Sequence, residues 1–416
     1  MPRHRSQSAT LRRRRRELSA KRPQTIGFKL GASLGVLLVV GTFLELGAWR
    51  LGPQLPQFHD DADQASIMVG HPTRLWTMQA GVRRNAGASA TIHASGLRGD
   101  VPQSPRAAGE ERILLLGDST FFGHGVENED TMAVRLEHGL QAEGGNVQVI
   151  NGAILGYSSE QARVLMDELG WALEPTLLLI GLLWSDNTWD MFQDKDLMKT
   201  VQRFHKNPLA RSRFYQLLAG WIDRSQGGYG AQIITWTRRS EWPDYGVRRV
   251  DVRRYADNLD HLARTAAQRS VGVMFIAPVN RDMVRPRRLD EHFSWQGYFD
   301  AMNAVASHHQ LPVVAMLGPF HRAVESVSGT STGSPKAMEE IFLDMMHPTP
   351  SGHQLMATTV QDTLVEQGWP MRRLLGRVEE PFDSSILEED AWIDDQPHID
   401  ENTDSPHRRL FSQAGR

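Results

Sequence analysis

The fold of this chain is decided by the stretch Ile113-Leu114-Leu115-Leu116-Gly117-Asp118-Ser119-Thr120. Four apolar residues in a row, without polar alternation, are typical of a strand that is buried on both faces of a parallel sheet. The Gly-Asp-Ser that follows places a hydroxyl group where this strand ends, and open α/β sheets form their sites at that carboxyl edge. Ser119 is therefore the first candidate functional residue.

Apolar strand patterns alternate with helical patterns from residue 111 onward. We predict strands at 112–116, 147–150, 176–183, 271–277 and 312–316, with helices at 131–143, 159–172, 251–269 and 295–309. A last helix is expected from about Ser351, with Thr349 as its N-cap and Pro350 as its first residue, where a missing N–H costs least. This order predicts an α/β fold, a three-layer αβα sandwich with a mainly parallel sheet.

A second motif lies far along the chain, at Asp344-Met345-Met346-His347-Pro348. A serine hydroxyl is a weak nucleophile unless an imidazole takes its proton, and the imidazole needs a carboxylate to fix its tautomer. Each motif alone could be an ordinary turn or helix entry, but together, on the edges of one predicted sheet, they favour catalysis. We predict Ser119 as the nucleophile, His347 as its general base and Asp344 as the orienting carboxylate.

The composition is that of a folded chain of 416 residues with charged ends. Hydrophobic residues make up 40% of it, enough for a buried core, and the net charge of -3 hides a basic N-terminus at 1–27 and an acidic tail at 371–416. The sequence contains no cysteine, which excludes disulfides, thiolate catalysis and thiolate metal sites within it. That absence also suits an oxidising compartment, where stray thiols are a liability.

Residues 28–49 form an apolar segment about as long as the ~20 residues that cross a bilayer. Glu45 is its only acidic residue, Trp49 suits the membrane interface, and the arginines of 1–27 favour a cytoplasmic N-terminus. We predict a single transmembrane anchor, with a cleaved signal peptide and a buried core helix as alternatives. Because the basic run adjoins this segment, anionic lipid is a better partner for it than nucleic acid.

Further segments surround the predicted sheet domain at 111–370. Residues 50–110 are rich in Gly, Pro, Ser and Ala and predict a stalk followed by a small strand-rich lead-in. Residues 190–250 predict a mostly helical insert, either a cap over the site or additional core, with the tryptophans Trp221, Trp236 and Trp242. The acidic tail at 371–416 predicts disorder.

Several other motifs are set aside. The stretch Gly329-Thr330-Ser331-Thr332-Gly333 matches a nucleophile-elbow pattern, but no strand precedes it and the Asp and His motif follows too closely. His308 and His309 lie at a predicted helix end and are expected on the surface. His347 and His353 have no evident third ligand, so we predict neither a metal site nor a cofactor.

The motifs resemble those of the GDSL-type serine hydrolases, also called SGNH hydrolases, over about 111–368. The matching blocks are Gly117–Val126, which is similar to the membrane-anchored bacterial branch, Asn151–Gly156 and Asp344–Pro348. The resemblance implies that the N–H groups of Ser119 and Gly156 bind the oxyanion. It also implies a single-pass protein of the bacterial inner membrane, with its catalytic domain in the periplasm or outside the cell.

A third block departs from the pattern of these hydrolases. The family places an asparagine after the corresponding strand, and its amide completes the oxyanion hole. Here the segment reads Gly181-Leu182-Leu183-Trp184-Ser185-Asp186-Asn187, which puts Ser185 at the expected position, whereas a shift of two residues selects Asn187. A lost oxyanion donor costs on the order of 10²–10³ in rate. We favour Asn187, the better donor chemically, and keep Ser185 as the alternative.

These features predict a serine esterase, or an O-acyltransferase, that acts on acylated cell-surface glycans, with lipid esters as the competing substrate class. Hydrolysis and transfer share one acyl-enzyme and differ only in the acceptor, so the sequence leaves both open. The alternative from another class is a catalytically degenerate SGNH-fold scaffold or glycan-binding module in envelope assembly, which the departure at Ser185 motivates.

Overall fold

The structure, a computed structural model, describes residues 22–51, 67–190, 193–215, 217–218, 246–285, 295–328, 335–377 and 380–387. These residues divide between two compact units. The first lies within Met1–Pro56 and Phe204–Ile234, and the second within Gln57–Arg203 and Thr235–Arg416. Five predicted features lie wholly or largely outside the described residues, namely the basic N-terminus up to residue 21, the stalk at 52–66, the tryptophans of the insert, the elbow-like stretch at 329–333 and the tail beyond 387.

The second unit contains the predicted parallel sheet. The described strands, in chain order, are β1 (Met68–His71), β2 (Leu75–Met78), β3 (Gly81–Asn85), β4 (Ala88–Ile92), β5 (Glu111–Gly117), β6 (Val147–Asn151), β7 (Leu177–Gly181), β8 (Trp189–Asp190), β9 (Val247–Arg248), β10 (Gly272–Ala277) and β11 (Val313–Ala315). Side by side, the sheet runs β11, β10, β7, β5, β6, and every neighbouring pair is parallel. All five predicted strands are confirmed, with bounds that differ by a residue or two.

The strand order reverses between β5 and β7. The chain passes from β5 to β6 on one side, then returns past β5 to β7, β10 and β11 on the other. Open α/β sheets bind ligands in the crevice outside the carboxyl ends of the strands at such a reversal. Ser119 follows β5 and Ser185 follows β7, so the topology brings both predicted motifs to this crevice.

Helices cover the sheet on both faces. The described helices are α1 (Arg22–Leu51), α2 (Ser119–Phe122), α3 (Met132–Ala142), α4 (Ser159–Glu168), α5 (Asp194–Lys206), α6 (Val252–Gln268), α7 (Arg281–Val284), α8 (Gln296–His309), α9 (Leu317–Ser328), α10 (Pro335–Ile341) and α11 (Pro350–Glu366). Helix α3 packs against α11, while α4 and α8 both pack against α6. Right-handed crossovers place the two groups on opposite faces, because the direction of travel reverses after β6. The three-layer αβα sandwich is confirmed.

The sheet excludes water because its central strands carry apolar side chains on both faces. Residues 113–116 of β5 and 177–180 of β7 are at most 1% exposed. Such burial stabilises by roughly 25 cal/mol for each Å² of apolar surface removed from water. The carboxyl edge of these two strands is therefore a rigid platform for the residues that follow them.

The last helix, α11, begins as predicted. Thr349 is its N-cap, with Oγ1 accepting a hydrogen bond from Gly352 N–H at 3.2 Å, and Pro350 is its first residue. Such a cap contributes about 1 kcal/mol. The sequence patterns do not predict α9 and α10, because Gly318-Pro319 is typical of a turn, whereas a helix also tolerates proline in its first turn.

The predicted lead-in consists of two hairpins, β1 with β2 and β3 with β4. Arg98 connects the second hairpin to the sheet, because it forms antiparallel bridges to both Ile92 and Asn151, the last residue of β6. The lead-in is thus joined through its backbone to the end of β6, at the carboxyl edge of the sheet.

Helix α1, in the first unit, is the helix among the described residues that is long and apolar enough to cross a membrane. Its span Gly27–Arg50 has a mean hydropathy of 1.9, and its apolar window of 18 residues contains no buried residue. Large apolar side chains face outward, with Phe28 77% and Leu37 68% exposed. A signal sequence near an N-terminus shares these properties.

Candidate active site

Ser119 is held at the carboxyl end of β5 by the short helix α2, which begins with it. The N-cap is Asp118, whose Oδ1 accepts a hydrogen bond from Thr120 N–H at 3.0 Å. Because Ser119 is the first residue of the helix, its own N–H has no intrahelical acceptor. The helix ends at Gly123, which has a φ of 89°, a conformation that favours glycine.

Two glycines allow α2 to lie close to the strand ends. Gly117 of β5 and Gly181 of β7 are register partners, and the fully buried Phe121 packs on both. A Cβ atom at Gly117 would stand 2.6 Å from Phe121 Cβ, and one at Gly181 would stand 2.7 Å from Phe121 Cε1. Both distances are far shorter than a van der Waals contact. The missing side chains therefore set the position of α2 and of Ser119 upon it.

The structure brings Ser119, His347 and Asp344 into one hydrogen-bonded chain. Ser119 Oγ donates to His347 Nε2 at 2.8 Å, and His347 Nδ1 donates to Asp344 Oδ2 at 2.7 Å. The other carboxylate oxygen, Asp344 Oδ1, accepts from the backbone N–H groups of Met346 and His347 at 2.8 and 2.9 Å. A single turn thus orients the carboxylate, and the carboxylate orients the imidazole towards the hydroxyl.

Asp344 is ionised at neutral pH. Its partial burial would raise the pKa of the carboxyl, but the hydrogen bonds and the charge of His347, with the N–H of Met346, hold this pKa well below the ordinary value. An ionised carboxylate on Nδ1 keeps that nitrogen protonated, so Nε2 is free to accept the proton of Ser119.

A second carboxyl lies beneath the serine. Asp118 is fully buried, and this burial raises its pKa to about 6 against the opposing effect of hydrogen bonds from Thr120 N–H and Ser185 N–H. The bond from Ser185 N–H to Asp118 Oδ2 is 3.4 Å long. It connects the residues after β7 to the turn that carries Ser119.

His124, which sequence reasoning did not single out, lies against the imidazole of His347. The two ring centroids are 4.4 Å apart, with 44° between the ring planes. Burial, and then the positive charge of His347, lower the pKa of His124 to about 3. His124 is therefore neutral at neutral pH and does not oppose a positive charge on His347.

Arg98 holds the loop that follows α2, although it comes from the lead-in. Its Nη1 donates to the carbonyl oxygens of Phe122 at 2.8 Å and Gly123 at 2.6 Å, and its Nη2 donates to that of Val126 at 2.7 Å. Burial lowers the pKa of Arg98 to about 10, so the guanidinium stays charged at neutral pH. No signal in the sequence distinguishes this arginine from its neighbours, and sequence reasoning missed it.

Gly156 follows β6 in a left-handed conformation, with a φ of 70°. Among the described residues its N–H has no hydrogen-bond acceptor, so it remains available to a ligand. A Cβ here would lie 3.3 Å from Trp76 Cζ2, and Trp76 Nε1 donates to Leu155 O at 2.8 Å. The lead-in thus supports this loop as well, and a side chain at Gly156 would strain it.

A buried ion pair fixes the carbonyl side of Gly156. Arg249 Nη1 donates to Gly156 O at 2.8 Å, while Arg249 Nη2 bonds Asp194 Oδ2 at 2.7 Å and Gln161 Oε1 at 2.8 Å. Both charged side chains are at most 2% exposed. Arg249 and Asp194 come from the predicted insert, so part of that segment supports the site from inside the core.

The third block lies at the site, but its two candidate donors differ in setting. Ser185 is 7% exposed and is joined to Asp118 through its N–H, whereas Asn187 is half-buried and its N–H donates to Leu183 O at 3.0 Å. Between them, Asp186 is fully buried and accepts from Ser159 Oγ at 2.5 Å. Both Ser185 and Asn187 stay candidates for the oxyanion hole.

The expectation that His308 and His309 lie on the surface is wrong for His309, which is completely buried. Its Nε2 bonds Asp260 Oδ1 at 2.8 Å and its Nδ1 bonds Arg377 O at 3.0 Å. Asp260, His308 and His309 are close enough together to hold a metal ion. The two hydrogen bonds already occupy both ring nitrogens of His309, so we read this cluster as structural.

No family model and no curated protein matches this chain. Solved structures do resemble it. A two-domain esterase active on acetylated mannans, co-crystallised with mannopentaose, matches with a TM-score of 0.41 and 15% identity, over 66% of this chain and 54% of that one. An α/β hydrolase from the metagenome of Lake Arreo, Spain, matches at 0.39 and 16%, over 62% and 95%.

A putative GDSL-like lipase from Parabacteroides merdae matches with a TM-score of 0.37 and 15% identity, over 61% of this chain and 94% of that one. These values describe a distant likeness. The solved structures that resemble this chain include a GDSL-like lipase and esterases.

Proposed function

We propose that this chain is a membrane-anchored serine esterase or O-acyltransferase that acts outside the cytoplasm on acylated cell-surface glycans. The observation that carries the proposal is the hydrogen-bonded chain from Ser119 Oγ through His347 to Asp344, with links of 2.8 and 2.7 Å. A module that only binds a ligand has no need of three such groups in this order. The intact chain therefore favours catalysis over a degenerate scaffold.

The mechanism follows from the roles that these atoms can take. As Ser119 Oγ attacks the ester carbonyl carbon, His347 Nε2 takes the hydroxyl proton and the carbonyl oxygen becomes an oxyanion. The N–H groups of Ser119 and Gly156, with a donor from the third block, stabilise that oxyanion. Collapse breaks the ester C–O bond, and His347 gives its proton to the departing alcohol, which leaves the acyl group on Ser119.

The acyl-enzyme is then resolved by a second hydroxyl. Water, or the hydroxyl of an acceptor, attacks the acyl carbon while His347 takes its proton, and Ser119 recovers that proton when it departs. Water yields a carboxylic acid, and an acceptor yields a new ester. Throughout, the carboxylate of Asp344 stabilises the imidazolium that forms twice in each cycle.

The proposed location rests on the apolar helix α1. We place residues 28–49 in a bacterial inner membrane as a single span, with the N-terminus cytoplasmic and the catalytic domain in the periplasm or outside the cell. The length and outward-facing side chains of this helix support a span, and the basic residues before it support the orientation. Esters at the cell surface, on glycans first and on lipids second, are then the accessible substrates.

The first test is labelling of the full-length protein in detergent with a fluorophosphonate probe. We expect the wild type and the matched control Ser326→Ala, an exposed helix serine, to label, and Ser119→Ala and His347→Ala to remain unlabelled. A folded wild-type protein that does not react would contradict the proposal and favour the scaffold alternative. Acetate release from acetylated oligosaccharides, with and without an added acceptor glycan, separates hydrolysis from transfer.

The donor from the third block is assigned by comparing Asn187→Ala with Ser185→Ala. We expect Asn187→Ala to lower the labelling rate by about 10²–10³ and Ser185→Ala to change it little, since loss of an oxyanion donor has that magnitude. The reverse result would assign the role to Ser185.

A further inference from the structure

Glu45 is the acidic residue within the apolar stretch of α1, and the structure gives it three hydrogen bonds. Its Oε2 accepts from Ser212 Oγ at 2.6 Å and from Phe214 N–H at 3.1 Å, and its Oε1 accepts from Arg213 N–H at 2.6 Å. These N–H groups open a helical turn that starts at residue 213, where backbone donors have no intrahelical acceptor. A carboxylate stabilises such a helix start, so Glu45 caps the turn from another helix.

A second contact reinforces the first. The guanidinium of Arg213 lies over the ring of Trp49, at 5.8 Å from its centroid. Trp49 comes one turn after Glu45 on α1, so both contacts lie on the same face of that helix. Within the segment at 212–215 that Glu45 binds, Ser212 Oγ accepts from Tyr215 N–H at 3.0 Å, which completes the cap.

The position of Glu45 along α1 places these contacts near the edge of a bilayer. Glu45 comes 18 residues after Gly27, the start of the candidate span, which at a rise of about 1.5 Å per residue is about 27 Å. The hydrocarbon core of a bilayer is about 30 Å thick, so the carboxylate lies near its outer boundary rather than at its centre. Trp and Arg side chains are typical of that boundary.

The segment that Glu45 binds also exposes apolar side chains. Leu209 is 60%, Leu217 37% and Leu218 42% exposed. We propose that residues 208–215 and 217–218 form an interfacial element that inserts these leucines into the outer leaflet of the bilayer, with Glu45 as its tether to the anchor. The partner surface is lipid. This inference rests on the proposed anchoring, because without a bilayer around α1 the segment has no such surface to meet.

The test uses single cysteines, which the cysteine-free chain allows without background. The full chain, with Leu209→Cys or Leu218→Cys carrying a polarity-sensitive fluorophore, is reconstituted in phosphatidylcholine vesicles with plain or brominated acyl chains. Leu37→Cys, within α1, reports on the anchor, and Val365→Cys, 55% exposed in α11, is the aqueous control. We expect brominated lipid to quench the first three and to leave the fluorescence of the last unchanged.

The tether is tested by adding Glu45→Ala to each labelled variant. We expect the quenching at Leu209→Cys and Leu218→Cys to be lost, while that at Leu37→Cys persists, because the anchor remains in the bilayer. Glu45→Gln keeps an acceptor oxygen and should keep part of the quenching.

The outcomes separate the two proposals. Quenching at Leu37→Cys without quenching at Leu209→Cys and Leu218→Cys overturns the interfacial element and leaves the anchor intact. No quenching at Leu37→Cys overturns the anchor and the element together. Full quenching at all three positions in Glu45→Ala overturns the role of Glu45 as the tether.

Discussion

Replacement of Gly117 by alanine should cost activity through a displacement that can be read from the structure. The new Cβ would stand 2.6 Å from Phe121 Cβ, whereas ordinary contact begins at 3.4 Å, so the two atoms must separate by about 0.8 Å. Phe121 Cβ is bonded to the backbone of α2, and the ring cannot relieve the contact by rotating. The shift therefore passes to α2 and to Ser119, two residues earlier.

A displacement of about 1 Å at a reacting group costs on the order of 10² in rate. We therefore expect Gly117→Ala to label with a fluorophosphonate about 10²-fold more slowly than wild type. Overpacking should also lower the free energy of unfolding by about 1–3 kcal/mol. In a domain of this size each kcal/mol lowers Tm by about 2–4 °C. Gly318→Ala is the matched control, because its nearest neighbour, Arg322 Nη1, would be 3.5 Å from the new Cβ.

Phe121→Leu distinguishes the two glycines. At Gly181 the new methyl group meets the far end of the Phe121 ring, so the shorter leucine should restore part of the activity of Gly181→Ala. At Gly117 the methyl group meets Cβ, which leucine retains, so Gly117→Ala should not be rescued. A Gly117→Ala protein that labels at the wild-type rate would refute the reasoning, because Ser119 would then be insensitive to the packing of Phe121.

Three further predictions follow from the charges around the site. Asp344→Asn should lower the labelling rate by about 10⁴, because an amide no longer holds the tautomer of His347. His124→Lys should lower this rate, because a cation against His347 opposes its positive charge, whereas His124→Phe should not. Burial raises the pKa of Asp186 to about 8, so the native state keeps a proton that the unfolded state releases above about pH 4. The free energy of unfolding should therefore fall as pH rises towards 8, and in Asp186→Asn the fall between about pH 6 and 8 should disappear.

Each of these has a clear contrary result. Labelling of Asp344→Asn within about tenfold of wild type would remove the carboxylate from the proposed mechanism. Equal rates for His124→Lys and His124→Phe would show that charge at this position does not reach the imidazole. Chemical denaturation curves at several pH values that are parallel for wild type and Asp186→Asn would show that this carboxyl is ionised in the native state.

The strands were the predictable part of the fold, since their signal is local. A short run of apolar residues that ends at a turn signal, as 113–116 ends at Gly117, favours a strand that is buried on both faces. Ser119 and His347 could be located from the sequence for a related reason, because Ser119 follows a strand end and His347 precedes a helix start that the sequence marks. The order of strands in the sheet places them at one edge without any knowledge of side-chain contacts.

The supporting residues could not be predicted, because their environment is made by distant parts of the chain. His309 ends a helix and looks exposed in sequence, yet Asp260 of another helix and the carbonyl of Arg377 pair with it and bury it. Arg249 and Asp194 likewise look like solvated charges, and only the folded chain shows that they form a buried ion pair in which Arg249 binds the carbonyl of Gly156. Burial of a polar group depends on its partners, and partners remote in sequence leave no local pattern.

The hydrogen bonds from Arg98 to the loop after Ser119 affect which substitutions this sequence can accept during evolution. The guanidinium donates hydrogen bonds to three main-chain carbonyl oxygens of the loop, and every amino acid has the same carbonyl group. These three hydrogen bonds therefore tolerate a change of side chain in the loop, provided that Gly123 and Gly125, both with a positive φ, keep their backbone shape. Arg98 itself has no such latitude, because lysine lacks the planar fork that spans several acceptors. Among related sequences, we therefore expect the loop to vary more than Arg98 does.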